Sequence, residues 1–350
     1  MRTLVIFAVL LLTTGAQART IGEKAVENHI RPVYDRLADA MDGLSKATVT
    51  FCEARKQNRG ALDAAFRSAV LAWAGTEHIR FGPVTEQNRY ERFAFWPDPK
   101  GVGLKQIAAA LREKDPGVTT PEGLAEKSVA LQGLTAFEVL FWGADAEKAE
   151  DAEARRFRCT FAKAIAANLA GITAKLREAW AANDGFAAQF TAPGEGKVYR
   201  DDKEVTLEIF KAFRTSLQQI RTYKLNRVLM GNPEEAQPRR AAYWRSGNEM
   251  GVIIANIAAA KAVYQQCGLY EIVHATGHGI DQSTLDQFHL IEESLDGLKA
   301  KRMADITAGQ KSWAQLNSVV FGLINIQVEG GNAITEAAEL PMSFNALDGD

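Results

Sequence analysis

Apolar residues in this chain recur at spacings of three and four in segment after segment, a period that restricts it to packed amphipathic helices. Val26, Ile30, Val33, Leu37, Met41, Leu44, Ala47 and Phe51 form one such stripe. Leu207, Phe210, Phe213, Leu217, Ile220 and Tyr223 form another, which stops at the helix-ending run Gly231-Asn232-Pro233. Pro32 either opens the first helix or kinks it. Residues 122–192 and 239–340 contain no proline, and alternating runs of strand type are scarce. The expected fold class is all-α, built from antiparallel bundles.

Turn-forming residues concentrate in two places. Residues 82–101 read as an irregular, aromatic-rich connection containing Pro97-Asp98-Pro99, and residues 193–197 read as a linker. The expected organisation is therefore an N-terminal bundle over 19–192 and a C-terminal bundle over 198–350. A faint echo of Leu71-Ala72-Trp73 in Ala242-Tyr243-Trp244 hints at duplication.

Residues 1–18 read as an export signal: Arg2, an apolar run over 4–12, then Ala16-Gln17-Ala18 as a small-x-small cleavage site. The run is too short to span a bilayer, and no later segment reaches spanning length without a polar interruption. A mature chain starting at Arg19 in a bacterial periplasm follows. Of the three cysteines, Cys52 and Cys159 are expected to pair in that oxidising compartment and to leave Cys267 as a thiol; three unpaired cysteines are the alternative. With 41 basic and 43 acidic residues among 350, the net charge of −2 offers no basic field for a nucleic-acid backbone.

The most informative segment is 128–142. It is apolar on nearly all sides, and Ser128, Gln132, Thr135 and Glu138 form one narrow polar stripe at helical spacing. A carboxylate in such a place needs partners, because burying it alone is costly. The alternative is the solvated edge of an amphipathic helix. A second helix, 313–328, carries the stripe Ser318, Gly322, Asn325 and Glu329. The two stripes are expected to face one another and enclose a polar pocket.

The string Gly133-Leu134-Thr135-Ala136-Phe137-Glu138, followed by Val139-Leu140-Phe141-Trp142-Gly143, resembles the signature helix of the imelysin-like family, whose motif is Gly-x-His-x-x-Glu. The resemblance extends to His78-Ile79-Arg80-Phe81-Gly82-Pro83, to Arg92 and Phe95-Trp96-Pro97-Asp98, to Tyr243-Trp244-Arg245-Ser246-Gly247 and to the ending Phe344-Asn345-Ala346-Leu347-Asp348-Gly349-Asp350. It implies an exported helical protein of two bundle-like halves, with the motif helix beside a pocket. It also implies either peptidase activity or a part in iron-regulated uptake, with iron or zinc as the candidate metal and other iron-uptake components as partners. Thr135 stands at the motif's histidine position. A threonine hydroxyl is a poor ligand for zinc or iron and no general base near neutral pH.

Arg80, Arg92, Arg239, Arg240 and Arg245 are the candidates to neutralise Glu138, since arginine donates bidentately and stays charged. Arg80, Trp96 and Asp98 are expected to line the pocket mouth, although Trp73, Phe95 and Trp96 suit core anchors equally well. His274 and His278 are spaced to chelate one ion from a helix face near Glu271; His289 matches His-x-x-Glu only by chance. Asp348-Gly349-Asp350 reads as a solvated acidic tail.

The candidate site is thus Gln132, Gly133, Thr135, Glu138, Arg80, Arg92, Trp96, Asp98, Arg245 and Asn325. Two functions fit it. One is a periplasmic binding protein for a small ligand, metal or peptide, acting in iron acquisition. The other is a metallopeptidase with Glu138 as general base or metal ligand.

Overall fold

The structure, a computed structural model, describes residues 19–54, 59–144, 151–181 and 184–341. The expected export signal and the acidic terminus at 348–350 lie outside these residues. Nine longer helices organise the described part: α1 (Arg31–Glu53), α2 (Arg59–Ala74), α3 (Val102–Glu113), α4 (Leu134–Trp142), α5 (Ala152–Ala181), α6 (Asp202–Gln219), α7 (Glu249–Gln266), α8 (Ile280–Asp296) and α9 (Gln310–Asn325). No strand occurs among the described residues, so the chain is all-α. No helix among them is long and apolar enough to cross a membrane.

The periodicity explains the packing. On α1, Val33, Leu37, Met41, Leu44 and Phe51 are buried, and that face lies along α5 and α2. A π turn over Val26–Ile30 precedes α1, and Pro32 sits in the helix's first turn. Proline has no N–H to return to residue 28, so the ladder widens there and Arg31 N–H bonds Val26 O instead. On α6, Phe210, Phe213 and Leu217 are buried, and the helix continues through a π turn (Ile220–Asn226) to Leu229, just short of the Gly231-Asn232-Pro233 stop.

In the first half α4 packs on α5 and α3; in the second, α6, α7, α8 and α9 pack together. Helix α7 lies against both α2 and α6 and so joins the halves. One apolar core runs through both, from Ala25 to Leu340. Residues 193–197 form an exposed turn, closed by Gly194 N–H to Tyr199 O (2.9 Å) and Lys197 N–H to Gly194 O (3.1 Å).

Two expectations need correcting. The segment 128–142 is not one helix: a 3-10 turn (Val129–Leu131) ends at Gln132, and α4 starts after Gly133. A Cβ on Gly133 would lie 2.6 Å from Phe93 O and 2.8 Å from Arg92 O, so the preceding connection crosses here at backbone distance. The second stripe does not face the first. Ser318, Asn325 and Glu329 are exposed, Gly322 packs under Ile291 of α8, and α9 leans on α8 and α6. Periodicity groups the three polar residues on one face, and that face is the solvated one, with Gly322 at its buried edge.

Cys52 and Cys159 form a disulfide that ties α1 to α5, while Cys267 is buried as a thiol. Replacing Cys52 and Cys159 together by serine is expected to cost about 2–5 kcal/mol of unfolding free energy, read from urea melts; wild type under reductant should fall to the same midpoint.

Candidate functional site

A cavity of about 370 Å³ opens beside the C-terminal side of the broken helix. Its lining comes from residues 95–107, from residues 227–245, and from Ala130 with Thr135, Glu138 and Val139 of α4. Asp98 builds the first of these. Its two carboxylate oxygens accept the backbone N–H groups of Val102 and Gly103, both at 2.8 Å, which anchors the start of α3 where orphan N–H groups need acceptors. Trp96 lies in the same segment, 5.6 Å from the Lys224 ammonium. That lysine is buried in an ion pair with Glu77, whose Oε2 also accepts from Asn256 Nδ2 at 2.7 Å.

Glu138 is 2% exposed. Its Oε1 accepts from Ser246 N–H (2.9 Å) and from the Ser246 hydroxyl (2.8 Å), and its Oε2 lies 3.9 Å from Arg245 Nη1. Burial pushes the carboxyl above the usual carboxylate range, against the pull of the two Ser246 donors and Arg245; the nearby Glu249 carboxylate adds to the rise. The turn carrying Ser246 needs two left-handed residues, Tyr243 (φ 56°) and Gly247 (φ 75°). Asn248 Nδ2 bonds the Ser246 hydroxyl at 3.0 Å. Just beyond, Glu249 Oε1 accepts from Arg302 Nε and Met303 N–H, both at 3.0 Å, which fixes the first turn of α7.

The expected site residues divide between two environments. Thr135, Glu138, Trp96, Asp98 and Arg245 line the cavity. Gln132 instead is fully buried behind α4, donating to Lys127 O (2.6 Å) and accepting from Asn168 Nδ2 (3.2 Å). Gly133 serves the backbone crossing. Arg80 stacks over Tyr90, 4.3 Å from its ring centre, and Arg92 is half-buried and contributes its backbone to that crossing; neither lines the cavity. Asn325 is exposed on α9. The donor to Glu138 is Ser246 rather than Thr135, because the turn before α7 presents an N–H and a hydroxyl together.

Sequence reasoning quoted Tyr243 only in the echo and the resemblance, quoted Ser246 only in the resemblance, and did not single out Arg227; Tyr243 and Arg227 line the cavity with Arg239 and Arg240. The one available signal for Ser246 was its place between Arg245 and Gly247.

The histidines do not assemble a metal centre. The short helix Leu269–His274 ends at His274, and Gly277 (φ 70°) and Gly279 (φ 74°) turn the chain away, so His278 shares no helix face with it. His274 Nδ1 pairs with Asp281 Oδ2 at 2.7 Å, Glu271 pairs with Lys24, and His289 with Glu293. His29 and His78 bury an Nε2–Nε2 contact of 2.7 Å, and burial lowers the His29 pKa to about 4. Among the described residues no group of three or more His, Cys, Asp or Glu is placed to hold a metal ion. Around Glu138 the donor set also suits a cation poorly. Four arginines line the same space and repel a cation, and the two carboxylates beside them already accept donors, Asp98 from two backbone N–H groups and Glu138 Oε1 from Ser246.

Fold and site together define an all-helical protein with a polar cavity walled by both halves of its sequence. Residues 30–321 match the family model described as imelysin, and the chain belongs to that family. No curated protein matches the chain. Among solved structures it is similar to an imelysin-like protein from Psychrobacter arcticum 273-4, with a TM-score of 0.68 and 15% identity over 92% of this chain and 96% of that one. It is also similar to a protein from Parabacteroides distasonis ATCC 8503 provisionally named iron-regulated protein A precursor, with a TM-score of 0.72 and 14% identity over 93% and 97%. At these identities the likeness shows the shared fold.

Two outcomes follow from the geometry. Gly133→Ala forces the Arg92–Phe93 backbone aside and is expected to destabilise by about 1–3 kcal/mol in urea melts. Because the folded-state pKa of Glu138 is raised, the native state favours the protonated acid. The stability this contributes is full below the unfolded carboxylate pKa and is lost as pH rises through the folded one. Glu138→Gln, a neutral mimic, should therefore gain thermal midpoint relative to wild type on going from acid to mildly alkaline buffer, with the smallest gap in acid.

Proposed function

We propose that this imelysin-family chain is an exported periplasmic binding protein that handles a ligand in iron acquisition, with the cavity around Glu138 as its binding site. The observation that carries the reading is the state of Glu138 itself. One of its oxygens, Oε1, accepts from both the Ser246 N–H and the Ser246 hydroxyl, so it works as a fixed acceptor that orders the cavity wall. A general base or metal ligand needs a second basic or metal-ligating group beside it, and the group nearest the other oxygen, Oε2, is the Arg245 guanidinium at 3.9 Å. At the position one turn away stands Thr135, which supplies neither. The volume of about 370 Å³ suits a small molecule. The link to iron is supported by the name of the Parabacteroides distasonis relative. Export is supported by the signal-like residues 1–18 and by the Cys52–Cys159 disulfide, which suits an oxidising compartment.

The second reading, a metallopeptidase, is favoured by one observation: Glu138 keeps its motif place on a buried helix at the cavity wall. Incubating the mature protein with an unstructured polypeptide, with and without a strong chelator, separates the two. The expected result is an intact polypeptide in both arms. Chelator-sensitive cleavage that Glu138→Gln abolishes would overturn the binding-protein reading.

A further inference from the structure

This inference rests on the cavity being a ligand site and names the chemistry of what enters it. We propose that the cavity takes a small organic polyanion, two or more carboxylates on an apolar body, gripped by Arg227, Arg239, Arg240 and Arg245.

All four arginines line the cavity, against two carboxylates among the described residues, Asp98 and Glu138. Those carboxylates are committed elsewhere: Asp98 through both oxygens to the start of α3, Glu138 through Oε1 to Ser246. Among the described residues no carboxylate lies within 4.0 Å of Arg227, Arg239 or Arg240, and Arg245 approaches Glu138 only to 3.9 Å, beyond hydrogen-bond reach. By contrast Arg31, Arg59, Arg89 and Arg200 each pair with a carboxylate one helical turn away or less.

Three of the cavity arginines are nevertheless held. Arg245 and Arg239 lie 4.7 Å and 5.6 Å from the centre of the Trp244 ring, and Arg240 Nη1 rests 3.8 Å from Met230 Sδ. Stacking on a ring steadies a guanidinium while its in-plane N–H forks stay available for a carboxylate. Bringing like charges around one space costs electrostatic energy, which an anion placed among them relieves.

The rest of the lining is of a different character. Phe95, Trp96, Pro97, Leu104 and Ile107 give it an apolar surface. Inorganic phosphate would leave that surface wet, and a ligand with a single carboxylate would leave most of the guanidiniums unmatched. An apolar body with several carboxylates satisfies both parts of the lining.

The test uses the whole mature chain at neutral pH, titrated calorimetrically with trimesate, an aromatic ring bearing carboxylates. Tricarballylate carries the same charges without the ring, the triamide of trimesate carries the ring without charge, and inorganic phosphate carries charge alone. Trimesate is expected to bind saturably at one per chain, to raise the thermal midpoint and to weaken as salt is added; tricarballylate should bind more weakly, and the triamide and phosphate should not saturate. Arg239→Ser with Arg240→Ser, at two exposed positions, should keep the wild-type helical circular dichroism and lose about tenfold or more in trimesate affinity. Arg245→Lys, which keeps charge but not the fork, should lose affinity as well. Equal binding of trimesate and triamide, phosphate binding as tight as trimesate, unchanged affinity in the double variant, or no binding of either tricarboxylate overturns the proposal. Any of these alongside an uncleaved polypeptide removes only the ligand class, whereas chelator-sensitive cleavage removes the binding-protein reading beneath it.

Discussion

Glu138 accepts both hydrogen bonds that Ser246 can offer, and the cavity depends on that contact more than on any other. The two residues stand 108 positions apart in the chain. One belongs to the buried helix Leu134–Trp142, the other to the turn that starts Glu249–Gln266. An ionised carboxylate without partners at this depth would cost several kcal/mol or take up a proton, so the turn must be at its place whenever the helix is at its own. Arg245 comes with the same turn, and Trp244 brings the ring on which Arg239 and Arg245 rest. A single acceptor thereby sets the position of one entire wall.

The same logic operates once more, deeper in the protein. Glu77 belongs to the first half, and both of its side-chain donors, Lys224 and Asn256, belong to the second. Any packing of the halves that slid α7 along α2 by a turn would strand both Glu77 and Glu138. Apolar side chains alone tolerate such slippage, because Leu and Val surfaces are largely interchangeable; buried carboxylates with directional donors do not. Trp96 links the two polar contacts, lining the cavity on one side and facing the Lys224 ammonium on the other.

What was legible in the sequence follows from range. The all-helical fold is written in spacings of three and four residues, which report a helix's own faces, and the buried stripes on Arg31–Glu53 and Asp202–Gln219 were readable for that reason. The break at Gly133 was not, because it arises from the backbone of Arg92 and Phe93 pressing against it, an approach with no periodic trace. Ser318, Asn325 and Glu329 were correctly grouped on one face and assigned to the wrong environment, since periodicity cannot say which face a neighbour covers. Phe321, on that helix and 60% exposed, shows how poorly an apolar residue reports its own burial. Ser246 was not singled out because a small polar residue in a turn is ordinary until its partner is known. Arg80 looked like a pocket residue by its company, and its guanidinium went to Tyr90 instead.

The third cysteine gains a meaning from this packing. Cys267 follows directly on the end of Glu249–Gln266, is fully buried, and burial pushes its thiol well above the ordinary range. Thiol–disulfide exchange needs a thiolate that can reach the bond it attacks. Once that helix has docked, Cys267 has neither the charge nor the access. Of the pairings that three cysteines permit, the folded protein can keep only Cys52 with Cys159. Packing of the helix that orders the cavity therefore also keeps the third thiol away from the cross-link.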